Sequence, residues 1–306
     1  MIALNKDFKS GFITIIGKPN VGKSTLLNAI IGHKIAIMSS KPQTTRNTIL
    51  GIYTDDEAQI VFTDTPGIHK PHHELGKIMN ESSYESIKGV DAVFFMVTAL
   101  DEPRELDKMI IENLSKIKKP IYLIINKIDL LRKTSDLDRV IVSYMNLLNF
   151  AGIFPVSALE KTNVPNLIED LKKLIPNGPK YYPDDMICDH PERFIVGELI
   201  REKVLELTRE EVPHSVAVVV ESMKKAEDNP NLVEIFATIY VERDSQKKII
   251  IGKSGELIKE IGKRSRLDIN NLLGSKSHLD LWVKVKKDWT DRPDILKTLG
   301  YSNDNY

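Results

Sequence analysis

The clearest chemistry in this chain lies in one glycine-bearing loop between an apolar run and a helix-like one. Gly17-Lys18-Pro19-Asn20-Val21-Gly22-Lys23-Ser24 follows the apolar residues 12–16 and precedes Thr25-Leu26-Leu27-Asn28-Ala29-Ile30. Backbone N–H groups of such a loop can point together at a polyphosphate, and the helix that starts there adds its positive end. Lys23 can meet β/γ oxygens and the Ser24 hydroxyl can ligate Mg²⁺. The spacing therefore predicts a nucleoside triphosphate site over residues 17–25.

The base is specified far downstream. Asn126-Lys127-Ile128-Asp129 follows the buried-strand run 121–125. An aspartate carboxylate is an acceptor only, so it matches the N1–H and N2–H₂ donors of guanine and would face an acceptor on adenine. Asn126 is expected to brace the loop and touch the base, and the Lys127 stem to lie along the ring. Between the two motifs, Asp64-Thr65-Pro66-Gly67 ends the strand-like run 58–63. A carboxylate there can hold Mg²⁺ through water and the Gly67 N–H can reach a γ-phosphate, so the segment would sense that phosphate. Ser157-Ala158-Leu159, after the strand 153–156, fits a last guanine contact through backbone N–H groups.

Together GKPNVGKST, the Lys41-Pro42-Gln43-Thr44-Thr45-Arg46 segment, DTPGIH and NKID resemble translation-factor-type small GTPase domains, and specifically the bacterial Era family. The resemblance implies GTP and GDP as ligands, Mg²⁺ as cofactor and GTP hydrolysis as the reaction. It assigns to Thr45, with Thr44 as the alternative, the hydroxyl that closes over Mg²⁺, so that Lys23, Thr45 and Gly67 carry catalysis and Ser24, Thr45 and Asp64 hold the metal. Ras-like enzymes place a glutamine after the glycine to orient the attacking water. Ile68 stands there in this chain and has no hydrogen-bonding side-chain atom, which predicts slow intrinsic hydrolysis. In related potassium-activated GTPases the position of Asn20 helps hold K⁺, which makes a K⁺ requirement an expectation to test.

The 306 residues give room for two domains with separate cores, and 42% hydrophobic with 28% charged content is ordinary for a globular protein. No apolar run approaches the ~18 residues of a membrane span. With no secretory signal recognised and a single cysteine, Cys188, a cytoplasmic location is expected. His69, His72 and His73 cluster without a second ligand set at zinc spacing. Strand and helix patterns alternate to about residue 175, and runs such as Val93-Phe94-Phe95-Met96-Val97 lack the polar alternation of a one-faced sheet. The fold class expected is α/β: a P-loop GTPase domain with a mostly parallel sheet over 1–176, a Pro/Gly-rich linker over 177–186, and a smaller α+β unit over 187–306. That unit should open with an amphipathic helix whose core stripe is Phe194, Val196, Leu199, Ile200, Val204 and Leu207.

The smaller unit carries the second motif. Gly252-Lys253-Ser254-Gly255 follows the apolar run Ile249-Ile250-Ile251, expected to be a strand, and opens a helix, with another expected near 265–273 and a last strand near 279–285. Two glycines three apart let backbone approach a phosphate chain closely, which resembles the GxxG clamp of type II KH domains and implies single-stranded RNA, about four nucleotides long. Residues 243–287 hold twelve Lys/Arg against five Asp/Glu on a chain that is balanced overall. A local basic face on a neutral protein suits a polyanion, and the RNA-binding candidates are Gly252, Lys253, Ser254, Gly255, Lys259, Lys263 and Arg264. By the family resemblance the RNA is the 3′ end of small-subunit ribosomal RNA, the task is assembly of that subunit, and some peripheral association with the inner membrane face accompanies it. A monomer is expected. The competing reading is a signalling or membrane-associated GTPase whose C-terminal unit binds protein.

Overall fold

The structure is a computed structural model that describes residues 7–210 and 212–301. The outer bounds expected for the two domains, 1 and 306, lie outside the described residues. Two compact units are present. Among the described residues, one comprises those of 7–36, 45–70 and 79–189, and the other those of 37–44, 71–78 and 190–301.

The elements of the first unit alternate along the chain. They are β1 (Lys9–Ile16), α1 (Lys23–Ile31), β2 (Ile49–Thr54), β3 (Ala58–Asp64), α2 (Glu74–Glu85, of which 79–85 belong to this unit), β4 (Ala92–Thr98), α3 (Glu105–Leu114), β5 (Ile121–Asn126), α4 (Thr134–Met145), β6 (Gly152–Pro155) and α5 (Val164–Leu174). The sheet order is β2-β3-β1-β4-β5-β6, with only β2 antiparallel to its neighbour. β3 and β5 are buried along their whole length, and β4 to its last residue, as expected where helices cover both faces. In such a sheet the ligand loops gather at the carboxyl ends of the strands. Here the loops after β1, β3, β5 and β6 all carry predicted site residues.

The expected linker is pinned along its length to the first unit. Gly178 N–H donates to Phe8 O, Gln59 bonds the backbone of Tyr181 and Tyr182, and Ile52 N–H donates to Ile187 O. Prolines in this stretch forbid a central strand, yet leave enough N–H groups for these edge contacts.

The second unit contains α6 (Glu192–Leu207), β7 (Ala217–Lys225), β8 (Leu232–Val241), α7 (Asp244–Ile251), α8 (Glu256–Leu273), β9 (Lys276–Val285) and α9 (Pro293–Thr298). β8 is central, antiparallel to β7 and parallel to β9. Val233, Ile235, Ala237, Ile239 and Val241 alternate into its core. Trp289 is fully buried, donates from Nε1 to Ser215 O and stacks on Tyr301, which fixes the closing segment.

Three expectations for this unit change. Ile249-Ile250-Ile251 is the last turn of α7 rather than a strand, because Gln246 accepts the N–H groups of Glu242 and Arg243 and caps a helix start. Residues 256–273 form one helix running through Gly262. Finally, α6 is buried on all sides over 195–205, not on one stripe: Val196, Leu199, Ile200 and Val204 are buried as expected, but so are Glu198, Arg201, Glu202 and Lys203. Phe194 and Leu207 are only half-buried. Among the described residues no helix is long and apolar enough to cross a membrane.

Candidate functional site

Parallel pairing of β1 with β3 puts Ile15 opposite Asp64, so the first loop and the DTPG segment leave the sheet side by side. Gly67 lies so close to the loop that a Cβ on it would come within 2.7 Å of the Pro19 backbone, and the adjacent Ile68 N–H donates to Gly17 O. Helix α2 braces this turn: Asn80 bonds both the N–H and the carbonyl of His69, and Ser83 Oγ donates to Pro66 O. Thr65 Oγ1 donates to Ile15 O. Ile68 is fully buried in the core, so its side chain takes no part in any solvent contact.

Lys23 begins α1 and is buried, its ammonium donating to the carbonyls of Gly17 and Lys18 at 3.3 and 3.2 Å. Burial pushes its pKa down to about 8, with Asp64 opposing. Such a cation gains strongly when a polyanion enters the loop it spans. Lys18 offers the loop its backbone, in keeping with an expectation that concerned backbone N–H groups. Its ammonium is held 2.8 Å from the buried carboxylate of Asp107 on α3.

The metal candidates converge. Ser24 Oγ donates to Asp64 Oδ2 at 2.6 Å, and Thr45 Oγ1 lies 2.8 Å from Ser24 Oγ and 3.5 Å from Asp64 Oδ2. Thr44 instead donates to Lys41 O, which separates the two threonines that the sequence left open. Asp64 is fully buried and its Oδ1 has no hydrogen-bond partner. Burial raises its carboxyl above the ordinary range, against the pull of Lys23, Ser24 and Thr45. Two hydroxyls and a carboxylate with unspent acceptor capacity form an all-oxygen set of the kind Mg²⁺ takes while keeping several waters. The residues fit the ion.

The base motif is knitted into the same loop. Asn126 donates to Val21 O and accepts from Ala158 N–H, Lys127 Nζ donates to Asn20 O, and Ser157 Oγ donates to Asp129 Oδ1 at 2.5 Å. Thr25 sits half-buried in the first turn of α1. Of residues 157–159, expected to touch guanine, Ser157 N–H donates to Thr162 O and Ala158 N–H to Asn126 Oδ1, bonds that brace the Asp129 loop. Leu159 is 70% exposed beside them. Asp107, Asn80 and Ser83 were not foreseen; each acts on backbone or on a side chain distant in sequence, which leaves no local pattern to read.

The glycine clamp is a short break between α7 and α8. Gly252 adopts φ 72°, ψ 178°, and a Cβ there would meet Leu257 Cβ at 2.8 Å, so glycine is required twice over. Ser254, at φ 52° and ψ 24°, is left-handed without being glycine. Lys253 and Ser254 are exposed, and Gly255 immediately precedes the free N–H groups of α8. Along α8, Lys259 and Lys263 lie four residues apart, and Arg266, absent from the predicted set, follows on the same face. Arg264 falls off that face and pairs with Glu260 at 2.7 Å.

Comparison with known proteins agrees with both halves. Residues 12–127 match the family described as 50S ribosome-binding GTPase, and residues 211–290 the family described as KH domain. Era of Aquifex aeolicus, a point variant bound to GDP.AlF4⁻, is similar at 41% identity and TM-score 0.93, over 96% of this chain and 100% of that one. Era in complex with MgGDPNP and nucleotides 1506–1542 of 16S ribosomal RNA is similar at 41% identity and TM-score 0.93, over 96% and 99%.

Proposed function

This chain belongs to the Era family of GTPases, and we propose that it is a GTP-hydrolysing switch that grips the single-stranded 3′ end of small-subunit ribosomal RNA during assembly of that subunit. The convergence of Ser24, Thr45 and Asp64 oxygens beside buried Lys23 carries the hydrolytic half. In hydrolysis a bond forms from a water oxygen to the γ-phosphorus while the bond to the β–γ bridging oxygen breaks, giving GDP and phosphate. Lys23 would offset the charge on the β/γ oxygens and the Gly67 N–H would meet the γ-phosphate. Ser24, Thr45 and Asp64 would hold Mg²⁺, which when bound neutralises charge between the β- and γ-phosphates. Because Ile68 is locked in the core, no side chain at that position orients the water, which supports slow turnover and a role for an added cation. A K⁺ near Asn20 is the form we favour; equal turnover in matched Na⁺ and K⁺ would remove it.

Asp129 chooses guanine, and calorimetry tests that directly: GTP should bind far more tightly than ATP, and equal affinities end the reading. The RNA half rests on the Gly252–Gly255 break and the Lys259, Lys263, Arg266 face. The larger family's description names the 50S particle, whereas the relative covering 96% of this chain was solved with 16S RNA, and the longer likeness carries more weight. GTP would order 41–47 and 64–73 and favour productive RNA contact, and hydrolysis would release both. A salt-dependent shift of labelled 16S 3′-end RNA, tighter with MgGDPNP than with GDP, tests this. We place the protein in the cytoplasm as a monomer with weak peripheral contact to the inner membrane face; sedimentation with and without vesicles tests both.

A further inference from the structure

The phosphate loop carries two lysines, and the first unit holds them in different ways. Lys23 spans the loop, whereas the Lys18 ammonium turns to α3 and donates to Asp107 Oδ2 at 2.8 Å. That carboxylate is fully buried, and the Lys18 side chain is 17% exposed. The same Oδ2 accepts the Arg104 N–H at 2.9 Å, as the third residue of a capping box does, so α3 itself fixes the rotamer of Asp107. Oδ1 has no hydrogen-bond partner among the described residues. Tyr144 on α4 is buried beside this carboxylate, and burial first and the Asp107 charge second push its phenol pKa up, which keeps it neutral.

A buried pair of this kind is a weak stability device, since well-packed apolar residues of the same volume do as well or better. Its distinctive property is geometric. A charge-assisted hydrogen bond from a loop ammonium to a carboxylate of fixed rotamer sets where that loop residue lies. The Lys18 carbonyl is one of two that accept the Lys23 ammonium, at 3.2 Å, the other being that of Gly17 at 3.3 Å. Helix α3 therefore reaches the catalytic cation in two steps, through the side chain of Lys18 and then through its carbonyl.

We infer that Asp107 is a positioning residue of the nucleotide site: through the Lys18 side chain it fixes the loop backbone whose carbonyls hold the Lys23 ammonium, and so presets the point at which that ammonium meets β/γ oxygens. It acts through Lys18 and not on substrate. A misplacement of about 1 Å in a group of this kind can cost about a hundredfold in rate, so a carboxylate at this remove is enough to set turnover. The inference rests on the reading of residues 17–25 as a GTP site.

The test follows GTP turnover, the ratio of GTP to inosine triphosphate affinity, and thermal unfolding in Asp107→Asn, Lys18→Met, Lys18→Arg and the double variant Lys18→Met/Asp107→Asn. Inosine triphosphate lacks the 2-amino group assigned to Asp129, so the ratio reports the base loop separately from the phosphate loop. Asp107→Asn keeps an acceptor for the Arg104 N–H and loses the charge. It and Lys18→Met should each lower kcat by roughly 10- to 100-fold, with the affinity ratio within about twofold of wild type. Each single variant leaves one charge of the pair alone and should unfold at lower temperature; the double variant leaves neither, so its unfolding temperature should return toward wild type. Its kcat should stay at the single-variant level, because two changes in one linked pair do not add. Lys18→Arg, which keeps the cation, should recover most of what Lys18→Met loses. Wild-type kcat in Asp107→Asn, or a double variant that regains kcat along with its stability, would show that the pair only packs and would overturn the assignment. A wild type that binds GTP and inosine triphosphate equally defeats the GTP reading itself.

Discussion

The nucleotide site and the glycine clamp both recognise phosphate, but they are built oppositely. At the nucleotide site Lys23, at the start of α1, and Asp64, at the end of β3, are buried, and their pKa values are moved by that burial. At the clamp, Lys253, Lys259 and Lys263 stand in solvent, and the shaped element is backbone. A dry site concentrates its charge on one ligand, so a single substitution should be close to all-or-none. A wet one spreads its affinity over many weak, screened contacts, so substitutions there should act in small steps that salt can mimic.

The largest expected effect lies on the dry side. Lys23→Ala removes the buried ammonium that spans the loop and should lower kcat for GTP by about 10²–10³-fold, measured by phosphate release at saturating GTP. A loss under tenfold would mean the buried charge is not what distinguishes this site. Next, Asp129→Asn exchanges an acceptor-only group for one that also donates. Two charged hydrogen bonds at about 1.5–3 kcal/mol each predict a loss in GTP affinity of roughly a hundredfold or more. Xanthosine triphosphate, with a carbonyl in place of the 2-amino group, should gain, and retained guanine preference would contradict the contact.

Buried and exposed cations should also differ in their response to pH. In the free protein Lys23 titrates near 8 because burial disfavours its charge, whereas bound triphosphate oxygens favour the charged form. GTP binding therefore takes up a proton above pH 8, and affinity should fall by up to about tenfold per pH unit there. The stability sign is opposite. The unfolded chain keeps this proton to the ordinary lysine pKa of 10.5, so the Lys23-dependent part of stability rises between about pH 8 and 10.5 in the nucleotide-free protein. Titrating a fluorescent GTP analogue across pH 7–9.5, beside urea unfolding of wild type and Lys23→Met, checks both directions.

What could be read beforehand follows the same division between local and distant chemistry. The phosphate loop, DTPG, NKID and GxxG are short runs in which residue type and backbone conformation are coupled within a few positions, so the sequence displays them directly. Continuous apolar runs in β4 and β5 likewise announce a sheet covered on both faces. By contrast, α6 alternates Glu, Arg and Lys with apolar residues as a surface helix would. Nothing within its sixteen residues says that Arg201 meets a carbonyl 157 positions earlier. In α7 three successive isoleucines look like a strand, while the Gln246 cap that starts the helix leaves no apolar pattern. The bond from Ala158 N–H to Asn126, 32 positions away, is likewise invisible in any local pattern.

On the wet side, Lys259→Ala should weaken 16S 3′-end RNA by roughly two- to fivefold at moderate salt and lower the slope of log affinity against log salt by about 0.7, the value for one phosphate contact on a single strand. GTP turnover without RNA should not change. Arg264→Ala, already paired with Glu260, should change the slope less; equal slopes for the two variants would mean that the Lys259, Lys263, Arg266 face is not the one RNA follows.

The smallest effect concerns the one residue of the clamp whose backbone and side chain disagree. Ser254 holds φ 52°, a left-handed conformation that costs a non-glycine residue about 1–2 kcal/mol. Ser254→Gly removes that cost but frees the unfolded chain, which subtracts about 0.4–1 kcal/mol. The net expectation is a gain below about 1.5 kcal/mol in urea unfolding, with RNA affinity within about twofold, because the framing glycines that shape the clamp are untouched. A loss of stability would show that the Ser254 hydroxyl offsets the strain locally. A large drop in RNA affinity would show that the hydroxyl itself touches the ligand, and the clamp would then rely on side chains more than its exposed backbone suggests.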